Sequence, residues 1–216
     1  MANLYEKYRP RRLSQLVGQD KAVATVRRLV AGGLGGQALW ITGKTGVGKT
    51  TLAGILARSF ASDYQVFEFA SGRSLTKADL DEAERQTHLY GWGKGGKVWI
   101  VNEAHGLRAP IIEELLGLLE HLPAHCLFIF TTTVEGQTLF EDEKFDATPL
   151  LHRCTPIRLT SQGLAGAFAK LAYKIAGHER LNGKPMAQYV RLLNDCGGSM
   201  RGALTEIAGG RMLAGD

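Results

Sequence analysis

The chain has 216 residues, 44% hydrophobic and 22% charged, enough for one sizeable core with a smaller satellite, which excludes fibrous and disordered classes. A formal charge of +5 favours polyanionic partners, because a basic surface concentrates phosphate-bearing ligands. Met1 to Pro10 lacks an apolar signal core and no apolar run nears the ~18 residues that span a bilayer, so a cytoplasmic protein with no membrane partner, not a secreted one, is expected.

Residues 3–20 hold Pro10, clustered arginines and a Gly18-Gln19-Asp20 turn, after which Lys21 to Ala31 carries apolar residues at helical spacing. Four short apolar runs follow at 38–42, 65–69, 97–101 and 126–131, and each of the first three precedes a helix-like stretch of ten or more residues. That alternation predicts an α/β fold, a central parallel sheet flanked by helices. After Thr160 the β-type runs stop, and amphipathic stretches near 161–176, 185–196 and 199–213 predict a small three-helix domain. The domain boundary is placed accordingly, with a nucleotide-binding αβα domain over 1–160 and a helical domain over 161–216. Gly32 to Gly36 and Gly91 to Gly96 read as surface loops. Cys126, Cys154 and Cys196 are too dispersed for a disulfide framework or a CxxC metal knuckle, and reduced thiols are expected.

Gly43-Lys44-Thr45-Gly46-Val47-Gly48-Lys49-Thr50 matches GxxxxGK[ST] in full, after the run Ala38 to Thr42 and before the helical stretch Thr51 to Phe60. Glycines let backbone N–H groups curl around phosphate oxygens, and the following helix presents its positive dipole end to them. Gly43, Thr45, Gly46, Val47, Gly48, Lys49, Thr50 and Thr51 are therefore the candidate ATP-binding residues. Lys49 would neutralise the β- and γ-phosphates, and Thr50 would ligate Mg²⁺.

The run Lys97 to Val101 ends in Asn102-Glu103-Ala104-His105, where a P-loop ATPase keeps its Walker B carboxylates. Glu103 is the candidate for polarising the attacking water; the alternative is that it caps the helix starting near Pro110 or is simply solvated. Asn102 stands where an acid is usual and would meet the metal through water, as an acceptor without charge. Asn102→Asp is accordingly expected to move magnesium dependence to lower metal concentration. Thr131-Thr132-Thr133 puts hydroxyls at the carboxyl edge of the sheet, and one of them is a candidate γ-phosphate sensor, Thr132 being favoured. Threonine is also a common strand residue for steric reasons, so the choice among the three stays open.

Several separated motifs together resemble the clamp-loader branch of the AAA+ ATPases, of the polymerase III gamma/tau and replication factor C small-subunit kind, over nearly the whole chain. Leu4-Tyr5-Glu6-Lys7-Tyr8-Arg9-Pro10 with Leu16-Val17-Gly18-Gln19 is similar to the family's adenine-contacting segment, which implies adenine contacts from Tyr8, Arg9, Pro10, Val17 and Gly18. Leu150-Leu151-His152-Arg153-Cys154 is similar to its Ser-Arg-Cys motif, with His152 in place of serine. The resemblance makes Arg153 an arginine finger acting in trans on a neighbour's ATP; the alternative is a solvated charge or a partner for a nearby carboxylate. Gly197-Gly198-Ser199-Met200-Arg201 is similar to sensor 2, which implies that residues 161–216 form a lid whose Arg201 touches the γ-phosphate, with Ser199 as a helix N-cap. An ordinary exposed helix arginine is the alternative.

The resemblance implies an ATPase, stimulated by DNA and by assembly, that works with other clamp-loader subunits to place a sliding clamp on primer-template DNA. It further implies weak template contacts from Arg73, Lys77 and Arg108, with Arg85 and Lys94 more plainly solvated. The chain ends soon after the third helical stretch, so the family's oligomerising collar domain is not expected. Ser71 to Gly96 contains no cysteine, and no structural metal is expected. Two other readings stay open: an ATP-binding switch subunit that hydrolyses little, and another AAA+ DNA machine such as a branch-migration motor or helicase loader.

Overall fold

The computed structural model describes residues 3–91, 95–133 and 148–214. They fall into two compact units. A sheet unit comprises Lys21–Gly43 and Lys49–Leu159, and a terminal unit comprises Met1–Asp20, Lys44–Gly48 and Thr160–Asp216, each as far as it is described.

In the sheet unit five strands pair in parallel: β1 (Gln37–Thr42), β2 (Ala61–Phe69), β3 (Gly96–Val101), β4 (Cys126–Thr132) and β5 (Cys154–Arg158), in the order β2-β3-β4-β1-β5. All four expected apolar runs are strands. The fifth strand is short and carries Pro156, which survives there because among the described residues β5 is an edge with no further strand needing the missing N–H.

Helices cover both faces, as a parallel sheet requires. Across one face runs an aromatic ladder, Phe67–Trp99 at 5.6 Å, Trp99–Phe128 at 5.0 Å and Trp40–Phe130 at 5.4 Å between ring centroids. Register produces it, because Phe67 pairs with Trp99, Trp99 with Phe128 and Trp40 with Phe130, so the rings share one side of the pleat. Each such pair adds about 0.5–1.5 kcal/mol beyond area burial. The ladder packs against Leu80 and Ala83 of α4 (Lys77–Thr87) and Ile111, Ile112 and Leu115 of α5 (Ala109–Glu120). A reciprocal Thr76–Asp79 capping box starts α4, and Pro110 sits in the first turn of α5. α2 (Asp20–Gly32) buries Ala22, Val23 and Val26, and α3 (Lys49–Phe60) buries Leu52, Ala53, Ile55, Leu56 and Ala57. The short α6 (Thr148–His152) precedes β5.

The terminal unit joins a short α1 (Leu4–Lys7) to three amphipathic helices, α7 (Leu164–His178), α8 (Met186–Asp195) and α9 (Met200–Ala208). Its core is Leu164, Phe168, Ala172, Ile175, Tyr189, Leu192, Leu193, Ala203, Leu204 and Ile207. The Ser199 hydroxyl caps α9 by accepting from the Gly202 N–H at 3.2 Å. Gln19 is buried and spans 141 positions of sequence, its Nε2 donating to the Thr160 carbonyl at 2.9 Å and its Oε1 accepting from the Thr160 N–H at 3.0 Å.

Candidate functional site

In a parallel sheet every strand ends at the same edge, and here the carboxyl ends of β1, β3 and β4 deliver the phosphate loop, Asn102-Glu103 and Thr131-Thr132. The loop runs from Gly43 at the end of β1 to the first turn of α3. Its Gly46 and Gly48 have φ of +82° and +108°, values a side chain resists, so the backbone turns its N–H groups in a way only glycine sustains cheaply. A Cβ on Gly46 would also run into Ser199 Oγ, within the terminal unit. Thr45 is exposed, Val47 is buried, and Thr51 is half-buried in the first turn of α3. Lys49 is 7% exposed, and its Nζ donates to the Gly43 carbonyl at 2.8 Å.

Beside the start of α3 lies a buried polar network. Asn102 Oδ1 accepts from Thr131 Oγ1 at 2.9 Å and from Thr50 Oγ1 at 3.3 Å, while its Nδ2 donates to Glu68 Oε1 at 2.7 Å and to the Phe69 carbonyl at 3.4 Å. Thr131 and Thr132 are fully buried and Asn102 is 8% exposed, so the Asn102–Thr131 bond replaces water contacts outright, whereas Thr50 is half-buried and Glu68 exposed.

Glu103 sits at φ +46°, ψ +49°, the left-handed region that non-glycine residues seldom occupy. Its side chain makes no capping bond, and α5 is instead preceded by Arg108. The capping alternative for Glu103 therefore does not describe this fold. The twist aims a half-exposed carboxylate out of the strand end, next to His105, whose Nδ1 lies 3.4 Å from Glu103 Oε2 and 3.2 Å from Thr132 Oγ1.

The other predicted residues have their own surroundings. In the terminal unit Tyr8 and Lys7 both bond Glu179, the lysine at 2.7 Å, and Arg9 pairs with Glu6 at 3.1 Å. The Lys7 ammonium and the Tyr8 hydroxyl hold the Glu179 carboxyl below its ordinary value, and the same bond raises Tyr8. Pro10 and Val17 are half-buried, and Gly18, at φ +71°, backs onto Leu164. The Arg201 guanidinium stacks 4.9 Å from the Tyr5 ring centroid. In the sheet unit Arg153 bonds Glu120 at 2.8 Å and the Pro149 carbonyl at 3.3 Å, so within a single chain its carboxylate-partner alternative holds. Lys77 bonds Glu114, Arg85 pairs with Glu82 at 2.6 Å, and Arg73 and Arg108 are exposed. Lys94 lies outside the described residues.

Glu68 and Glu179 escaped the sequence reading, and His105 and Gln19 entered it only as members of longer motifs. Glu68 left a trace, a lone charge near the carboxyl end of the apolar run 65–69, and His105 closes the Asn102-Glu103-Ala104-His105 string. Glu179 left none, because only the fold brings it to Tyr8.

Magnesium and a nucleoside triphosphate fit these residues. Among the described residues no three His, Cys, Asp or Glu side chains gather around one point. The hydroxyl and amide oxygens of Thr50 and Asn102 form a sparse, hard donor set, which suits a magnesium ion that keeps its waters and leans on phosphates. Among the described residues no helix is long and apolar enough to cross a membrane.

No family model matches the chain. Among curated proteins it is 27% identical over 214 residues to the replication factor C small subunit of Methanoregula boonei, covering 97% of this chain and 63% of that one. It is 26% identical over 193 residues to DNA polymerase III subunit tau of Bacillus subtilis, covering 78% of this chain and 33% of that protein. The chain thus spans less than two thirds of the length of these relatives. Among solved structures, the Thermotoga maritima RuvB Holliday junction branch migration motor matches with a TM-score of 0.67 over 93% of this chain and 64% of that one, at 22% identity, a likeness of fold. Aligned with such relatives along most of its length, the chain is a homologue of the replication factor C small subunit and DNA polymerase III tau proteins, and it shares its fold with RuvB.

Proposed function

We propose that this chain is an ATP-hydrolysing clamp-loader subunit that couples nucleotide turnover to placing a sliding clamp on primer-template DNA, in the cytoplasm and alongside other AAA+ subunits. The observation that carries the reading is the grouping of Lys49, Thr50, Asn102 and Thr131 around the start of α3, on a chain related to clamp-loader proteins. Residues 1–160 act as the nucleotide-binding domain and 161–216 as its lid.

In this reading the amides of Gly43 to Thr50 cradle the phosphates, Lys49 leaves the Gly43 carbonyl for the β- and γ-oxygens, and Tyr8, Arg9, Pro10, Val17 and Gly18 form the adenine contacts. Thr50, and Asn102 through water, would hold magnesium, which would neutralise charge on the phosphates. Glu103 orients and polarises the attacking water, Thr132 reads the γ-phosphate, and Arg201 exchanges Tyr5 for that phosphate. Arg153 serves a neighbour's ATP. Its bond to Glu120 is a partly exposed pair of the kind worth under about 1 kcal/mol, so giving it up costs little. Arg73, Lys77 and Arg108 contribute weak contacts to the template backbone.

The test is ATP turnover by the chain alone, then with primed DNA and a sliding clamp, with mass followed by light scattering. Turnover rises with DNA and with assembly, and Glu103→Gln lowers it by about 10²-fold or more with nucleotide binding intact. Because Asn102 lacks the usual charge, a second reading stands beside the first: a subunit that binds ATP as a switch. Tight binding with no turnover under any of these conditions would select it.

A further inference from the structure

We propose that Glu68 carries the negative charge that Asn102 lacks, and that the two side chains together replace the single carboxylate usual beside a nucleotide-bound magnesium. The proposal rests on the magnesium–ATP reading above and goes beyond it by adding a residue from a different strand.

The orientation of the Asn102 amide is fixed by chemistry. Glu68 Oε1 and the Phe69 carbonyl only accept hydrogen bonds, so the amide nitrogen must face them, at 2.7 and 3.4 Å. Oδ1 is thereby turned to the hydroxyls of Thr131 and Thr50, at 2.9 and 3.3 Å. Taking the Thr50 proton leaves that hydroxyl's lone pairs free to face a cation. This is the acceptor half of a carboxylate's role, done without charge.

The charged half lies next door. Glu68 pairs with Ile100 in the β2–β3 register, and Phe69 with Val101, so the carboxylate stands at the carboxyl edge of the sheet beside Asn102. Glu68 is exposed, which suits an action through water on an ion that dehydrates reluctantly. Residues 68 and 102 therefore form a complementary pair. An aspartate at 102 would set a carboxylate against that of Glu68 and against the Phe69 carbonyl with no proton between them, and like charges so close do not both ionise readily. One acid is needed, and the arrangement admits it at either position.

The experiment is calorimetric binding of a non-hydrolysable ATP analogue, in magnesium and in EDTA, by the wild-type chain, Glu68→Gln and the double variant Glu68→Gln with Asn102→Asp. Glutamine keeps the acceptor for Asn102 Nδ2, and thermal melts verify that each variant folds. Glu68→Gln is expected to lose about tenfold in affinity in magnesium and nothing in EDTA, and the double variant to regain the magnesium-dependent gain. An equal loss in both buffers makes Glu68 merely structural, and an unchanged magnesium gain or a double variant that regains nothing separates it from the metal; each overturns the proposal while wild-type binding stands. Wild-type affinity that is absent, or indifferent to Lys49→Ala, instead brings down the nucleotide reading on which it depends.

Discussion

The carboxyl edge of the sheet and the terminal unit both hold candidate ATP-binding side chains, but they hold them in opposite ways. At the sheet edge Lys49, Asn102 and Thr131 are themselves buried, Lys49 bonded to the Gly43 carbonyl and Asn102 to Thr131, so these side chains have little water to turn to. In the terminal unit Tyr8, Arg9 and Arg201 are held by Glu179, Glu6 and Tyr5 through contacts that solvent reaches; the Lys7 side chain that shares Glu179 is 53% exposed. The first arrangement suits groups that must be in place before a ligand arrives. The second suits groups that exchange partners when it does.

Substitutions at the sheet edge should therefore act strongly and those in the terminal unit weakly. Lys49→Ala has the largest expected effect, a loss of about 10–100-fold in ATP affinity by calorimetry, because charge-assisted bonds to phosphate vanish. Next comes Thr131→Val, which deprives Asn102 of its shortest hydroxyl partner and should cost about 1 kcal/mol in urea unfolding. Tyr5→Leu removes the half-buried stacking partner of the exposed Arg201 and should cost under about 1 kcal/mol by the same measurement. The comparison breaks if Tyr5→Leu proves the costlier of the two.

The smallest effect is one of pH. Lys7 and then Tyr8 lower Glu179 from its ordinary 4.5, so the folded state binds that proton less readily than the unfolded chain. The anchor's stability is fully present above 4.5 and is lost as pH falls from there through the lowered folded value. A urea midpoint followed across that acid window should lose this component in Glu179→Gln and keep it in a Thr131→Val control.

The strands and most helices were legible because apolar periodicity is a local property, and the phosphate loop because its glycines and Lys49 are contiguous. β5 was harder to see, being five residues long with a proline inside. The Asn102 network was illegible, since Glu68, Thr131 and Thr50 lie 34, 29 and 52 positions away and meet only through strand order. That gap changes one expectation. From sequence alone Asn102→Asp looks like restoring a metal ligand, whereas in the fold it opposes Glu68.

Gln19 ties two distant stretches together with a matched pair of amide bonds to Thr160, one given and one received. Such a splice makes residues 3–20 and the three helices of the terminal unit a single cooperative element rather than a tail and a domain. Local opening at one end of the polypeptide should then register at the other, with amide exchange near Thr160 quickening when the leading segment is trimmed or Gln19 is changed to leucine.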